Sequence, residues 1–216
     1  MHSVADGANP GFQRRMRTAQ RLTTAARRRT AEQGLPGFTV DEICDEAGIS
    51  RRTFFNYFAS KEDAVLGFTT LWDQHELEER FAAEGAGNAS GLSERLPEDY
   101  AALIVARWTE IGLTPEHVAD LVAAIDREPR LLSRLFESLR ARERADVELV
   151  QRRAGLPAGD LRAEVVVQVV SALGGACMRE FLCPGNSDPL RTIMERRLGA
   201  ARGVFAGALG QSGGMT

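Results

Sequence analysis

Between Thr39 and Asp63 the chain carries three helix starts and one enforced break, a density that leaves room only for short helices joined by tight turns. Thr39 with Glu42 three residues later makes a capping box, in which each side chain satisfies the other residue's free backbone amide. The helix so started, 40–47, turns Val40, Ile43, Cys44 and Ala47 to one side. It stops at Gly48, the residue type that enters the left-handed conformation without strain. Ser50 caps a second helix, 51–58, and Ser60 caps a third.

The remainder fixes the class. Apolar residues recur at the 3.6-residue helical spacing over 14–33, 61–83, 100–112, 115–126, 129–154, 160–182 and 189–209, and no alternating run bounded by hairpin signals occurs. The fold is expected to be all-α, with an N-terminal three-helix unit followed by a larger helical one. Residues 1–13 are expected to be a flexible arm, 14–60 the first domain, 61–210 the second and 211–216 a tail, with the Gly- and Ser-rich stretch 84–99 a loose connection. Apolar residues at 44% and charged ones at 26% suit a water-exposed globular surface around a sizeable core. No apolar stretch is expected to reach the roughly 18 residues of a membrane span, and residues 1–15 show no secretory or lipid-anchor pattern, so the expected location is the cytoplasm. Cys44, Cys177 and Cys183 fit neither a disulfide framework nor a zinc site and are expected to be small buried residues.

The net charge of −3 conceals a local excess: 14–29 holds seven arginines and no acid. Beside it, the helix 51–58 turns Ile49, Phe54 and Phe58 inward and leaves Arg51, Arg52 and Asn56 outward. Two short helices meeting at a glycine form a helix-turn-helix, whose second member enters the major groove of DNA. Arginine gives two hydrogen bonds to guanine and asparagine two to adenine, so the outward set has the donors that base reading needs.

The run AARRRTAEQGLPGFTVDEICDEAGISRRTFFNYFASKEDAV resembles the N-terminal signature of the TetR family over about residues 21–66. The resemblance implies a dimeric transcriptional repressor on a palindromic double-stranded DNA operator. It places Thr39, Ser50, Thr53, Tyr57 and Lys61 at phosphates and Arg51, Arg52 and Asn56 near bases. Lys61, the chain's only lysine, would also have the positive end of its own helix behind it. Phe55 stands where the family often has tyrosine, and is expected against a sugar or a thymine methyl. Asp41 and Glu42 favour the helix dipole but repel phosphates, and Arg29 and Thr30 replace an apolar pair.

From Tyr100 onward there is no catalytic, cofactor or metal signature: His75 and His117 are isolated, and GGAC at 174–177 sits in a helical pattern where small residues let helices approach. No enzyme activity and no cofactor are expected. The segment VVVQVVSALGGACMREFL is apolar on nearly all sides and demands several neighbours. By the resemblance, it and the last helix pair with those of a twofold mate. The resemblance also implies a pocket for a small hydrophobic effector, for which Phe68, Trp72, Trp108, Leu135, Phe136, Leu139, Met178 and Phe181 are the candidates. The alternative is a helix-turn-helix dimer regulated by a protein partner, without a pocket.

Overall fold

The computed structural model describes residues 10–69, 75–84, 93–111 and 114–210. Among these, every regular element is helical. They are α1 (Pro10–Gln33), a 3-10 turn (Leu35–Gly37), α2 (Val40–Ala47), α3 (Arg51–Phe55), α4 (Lys61–Leu66), α5 (His75–Ala83), α6 (Leu96–Ile111), α7 (Pro115–Arg127), α8 (Arg130–Ala154), α9 (Leu161–Phe181) and α10 (Leu190–Gly210). The all-α expectation holds.

The helices gather into two compact units, Met1–Asp73 with Leu113–Leu139, and Gln74–Gly112 with Arg140–Thr216. The units are therefore not divided at residue 60: α4, α7 and the first part of α8 pack with the N-terminal helices. In the first unit Leu22, Ile43, Phe54, Phe58 and Val65 are fully enclosed, each removing enough apolar surface from water to contribute roughly 1.5–3 kcal/mol. Ala124 of α7 and Leu131 of α8 complete this core. Two polar links fasten the returning segment. The Leu35 amide donates to Glu128 Oε1 at 3.1 Å, and Arg134 Nη2 donates to Asp63 Oδ1 at 3.0 Å.

In the second unit Tyr100, Val150, Val167 and Ile193 are fully enclosed. A buried polar network runs through it: the Tyr100 hydroxyl donates to Asp146 Oδ2 at 2.9 Å, and Arg107 donates to Asp146 Oδ1 and Glu78 Oε1, both at 2.7 Å. Burial first, and then the neighbouring Asp146 charge, push the Tyr100 phenol well above its ordinary range. Gly174 is where α9 admits Trp108, since a Cβ there would lie 2.7 Å from Trp108 Cη2; the small residues do serve close approach.

Several boundaries differ from expectation. The single helix expected over 61–83 is two: α4 ends at Gly67, whose φ of 82° is left-handed and whose amide caps Ala64, and α5 begins at His75. The helix expected over 51–58 stops at Phe55, with Asn56 as its C-cap. At the N-terminus α1 begins at Pro10, within the expected arm, and α6 begins at Leu96, within the expected loose connection. Cys183 is exposed, whereas Cys44 and Cys177 are buried as expected, their thiols pushed up chiefly by desolvation. One helix, α9, is after all long and apolar enough to cross a membrane by length and composition, but Ala163, Val167, Val170, Gly174 and Cys177 are packed into the second unit's core.

Candidate nucleic-acid interface

The placement of α3 is set by local chemistry. Thr39 Oγ1 accepts from the Glu42 amide at 3.2 Å while Glu42 Oε2 accepts from the Thr39 amide at 2.6 Å, so the capping box is complete. These bonds from Thr39, backbone first, hold the Glu42 carboxyl below its ordinary range. Gly48 takes φ 65° and ψ 39°, the left-handed geometry that turns the chain between α2 and α3. Ser50 Oγ then accepts from the Thr53 amide at 3.1 Å and shares a 2.8 Å hydrogen bond with the Thr53 hydroxyl.

On α3 the inward side chain is Phe54, fully buried, with Tyr57 and Phe58 enclosed just after it. Arg51, Arg52, Phe55 and Asn56 face solvent, as expected, and Tyr57 is only 8% exposed. Arg51 Nη1 donates to Asp41 Oδ2 at 3.0 Å, and its guanidinium lies 5.4 Å from the centre of the Phe55 ring. Lys61 Nζ donates to the backbone carbonyls of Leu35 and Phe38 and sits 4.5 Å from the Phe38 ring centre. The lysine thus braces the loop before α2, with its third N–H beyond these two bonds.

The arginine run of α1 divides in four, one part being Arg21, exposed, whose Nη2 donates to the Ala47 carbonyl of α2 at 3.3 Å. Arg14, Arg15 and Arg17 are exposed. Arg28 and Arg29 both bond Glu46 of α2. Burial alone would raise the Glu46 carboxyl, but the hydrogen bonds from these two arginines outweigh it and leave it below the usual range. Arg27 is buried: its Nε donates to the Val65 carbonyl and its Nη1 to that of His117, both at 2.8 Å, and its Nη2 to that of Leu66 at 3.3 Å. Desolvation lowers the Arg27 pKa to about 10, against the opposing pull of Asp120. Thr30, beside it, is fully buried and returns its hydroxyl to the Ala26 carbonyl at 2.7 Å, so the polar residues replacing an apolar pair are accommodated within the packing. Sequence reasoning missed the Arg27 brace and the Asp63–Arg134 pair, because Arg27 stands in a run with Arg28 and Arg29 and the partners of both lie far along the chain.

Residues 22–66 match the model of the tetR family of bacterial regulatory proteins. The HTH-type transcriptional regulator TcmR of Streptomyces glaucescens is 27% identical over 186 residues, covering 83% of this chain and 80% of its own. The chain is thus similar to DNA-binding transcriptional regulators of the TetR family, over the helix-turn-helix segment by the family model and over most of its length by TcmR. A solved structure of the multidrug binding protein EbrR, complexed with imidazole, aligns over 91% of this chain and 97% of its own, at 18% identity and a TM-score of 0.36.

The residues put forward for a ligand pocket fall in both units of the chain. In the first, Phe68 and Leu135 pack partly buried on the core, while Phe136 and Leu139 are more than half exposed. In the second, Trp108, Met178 and Phe181 pack partly buried on its core. Trp72 lies outside the described residues. A cleft of about 400 Å³ in the second unit opens elsewhere, lined by apolar residues such as Val105, Met194 and Leu198 and by charges of both signs, among them Arg191 and Glu195. Among the described residues no His, Cys, Asp or Glu cluster could hold a metal ion.

Proposed function

We propose that this protein is a TetR-family transcriptional regulator, a cytoplasmic homodimeric repressor that holds a palindromic operator and leaves it when a small, largely apolar ligand binds. The observation that carries the reading is α3 itself: its only fully buried side chain is Phe54, and Arg51, Arg52 and Asn56 are all turned to solvent. Those are the donors that distinguish guanine and adenine in the major groove. Thr39, Ser50, Thr53, Tyr57 and Lys61 are assigned to phosphate contacts and Phe55 to a sugar or thymine methyl, from the family resemblance.

Dimerisation through α9 and α10 is supported by surplus apolar surface. Only 28% of the most apolar 18-residue stretch of α9 is buried within the chain, and Leu161 and Val165 on α9 with Val204 and Phe205 on α10 are exposed. A twofold mate covers such faces and supplies the second recognition helix that a palindrome requires. The ligand acts by binding better to a conformer in which residues 61–83 are displaced, shifting the spacing of the two reading helices.

Selection of bound DNA from a random pool tests the reading: a palindromic consensus is expected, and recovery of single half-sites or of no consensus overturns it. Titrating hydrophobic compounds against the operator complex tests the second half, which fails if none lowers affinity. A second reading has an observation of its own. Leu132, Phe136 and Leu139 recur along α8 with more than 40% of each exposed, which suits a helical protein partner in place of a ligand.

A further inference from the structure

We propose that Asp41 is a positioning residue for base reading: together with Phe55 it holds the Arg51 guanidinium in one orientation for a single guanine in each half-site. The inference rests on the reading of α3 as the DNA-facing helix. It adds a residue from α2, which by its charge should be unwelcome at a phosphate surface.

The arrangement is a chain of contacts from the core outward. Phe54 is fully enclosed, and the Phe55 ring stands edge-on to it at 5.4 Å between centroids, 85° between planes. Phe55 is one helical turn beyond Arg51, and its ring faces the guanidinium at 5.4 Å. From the other helix, Asp41 Oδ2 accepts from Arg51 Nη1 at 3.0 Å. Asp41 lies in the first turn of α2, where the helix dipole favours its charge.

As an ion pair this contact does little for the fold, because both side chains are more than half exposed and exposed pairs are worth about 0–1 kcal/mol. Its effect is on geometry. A free arginine side chain samples many rotamers, and reading guanine requires two of its five N–H groups to meet O6 and N7 together. One Nη1 hydrogen is committed to Asp41, so the remaining N–H groups are presented in a fixed fork. The same carboxylate neutralises Arg51 toward phosphates, so Arg51 adds little to binding that depends on the backbone alone.

The test is random-pool selection with the full-length protein and its D41A, D41E and R51A forms, alongside affinity for an unrelated duplex at several salt concentrations. Expected for wild type is one guanine position per half-site that R51A abolishes. D41A is expected to relax preference at that position by about tenfold while keeping the rest of the consensus. It should also bind unrelated DNA more tightly, with a salt slope steeper by about one. D41E, which keeps a carboxylate within reach, restores part of the preference. If R51A loses the guanine and D41A keeps it, Asp41 has no positioning role although α3 reads DNA. If R51A changes no position, Arg51 is not the reader and the inference falls. If no sequence is enriched by wild type, the proposed function falls with it. Far-UV circular dichroism of D41A is expected to match wild type, because Asp41 is exposed.

Discussion

Arg27 shows how far a charge count can mislead at the scale of one residue. It belongs to a run of seven arginines that reads as a cationic patch, yet it is enclosed and bonded to three carbonyls, from Val65, Leu66 and His117. Removing it leaves those acceptors buried without donors. R27M is expected to lower stability by about 3 kcal/mol, seen as a fall in thermal midpoint, with operator affinity unchanged once the folded fraction is allowed for. A midpoint within a degree or so of wild type contradicts that account. The sequence could not separate Arg27 from its exposed neighbours because its partners lie 38 to 90 residues away. Arg51, Arg52 and Asn56 were legible as outward for the opposite reason: a three-residue pattern around Phe54 decides it locally.

At the scale of the element, caps were the most legible feature. Thr39, Ser50 and Ser60 each start a helix where their side chains imply, and Gly48 ends one. Adding a side chain at Gly48 strains its left-handed backbone even though the space around it is open. G48A is expected to cost about 1–2 kcal/mol and to weaken operator binding more than that loss alone explains, because the turn sets the angle between α2 and α3. Asp160 caps α9, and hydrogen bonds from the Arg162 side chain and then its amide lower its pKa from 3.8 to about 2. Since the folded value is the lower one, its contribution is complete above about pH 4 and disappears as the pH falls toward 2. The D160A form should therefore melt below wild type near neutral pH, with the gap closing across that interval; a gap that stays constant argues against the ionised cap. What was not legible was the break at Gly67, since a lone glycine within a helical period reads as tolerated as easily as terminal.

At the scale of the whole molecule, periodicity gave the class and most of the long helices, but it ran 61–83 together as one and did not show how the helices group. The apolar stripe of α7 shows that it must be covered, and only the packed chain shows that Ala124 is covered by the first unit's core. The same limit applied to the ligand candidates, which share aromatic and flexible character but divide between two cores. Excess apolarity of α9 was visible in sequence, and its exposed remainder, Leu161 and Val165, yields the prediction at this scale. V165D is expected to shift the protein from dimer to monomer in sedimentation velocity and to reduce operator affinity at least tenfold, with helix content unchanged. A dimer that persists in V165D and in a double variant with L161D would place the interface elsewhere.

The discontinuity of the first unit sets a timetable for synthesis. A nascent chain that has reached Asp73 lacks Leu121, Ala124 and Leu131 for the core and Arg134 for Asp63. At roughly 5–20 residues per second, the segment up to Leu139 follows about 3 to 13 seconds later. The core of the first unit is thus completed only after α5 and α6 have left the ribosome, which ties the maturation of the unit that carries α2 and α3 to the emergence of the part that follows it.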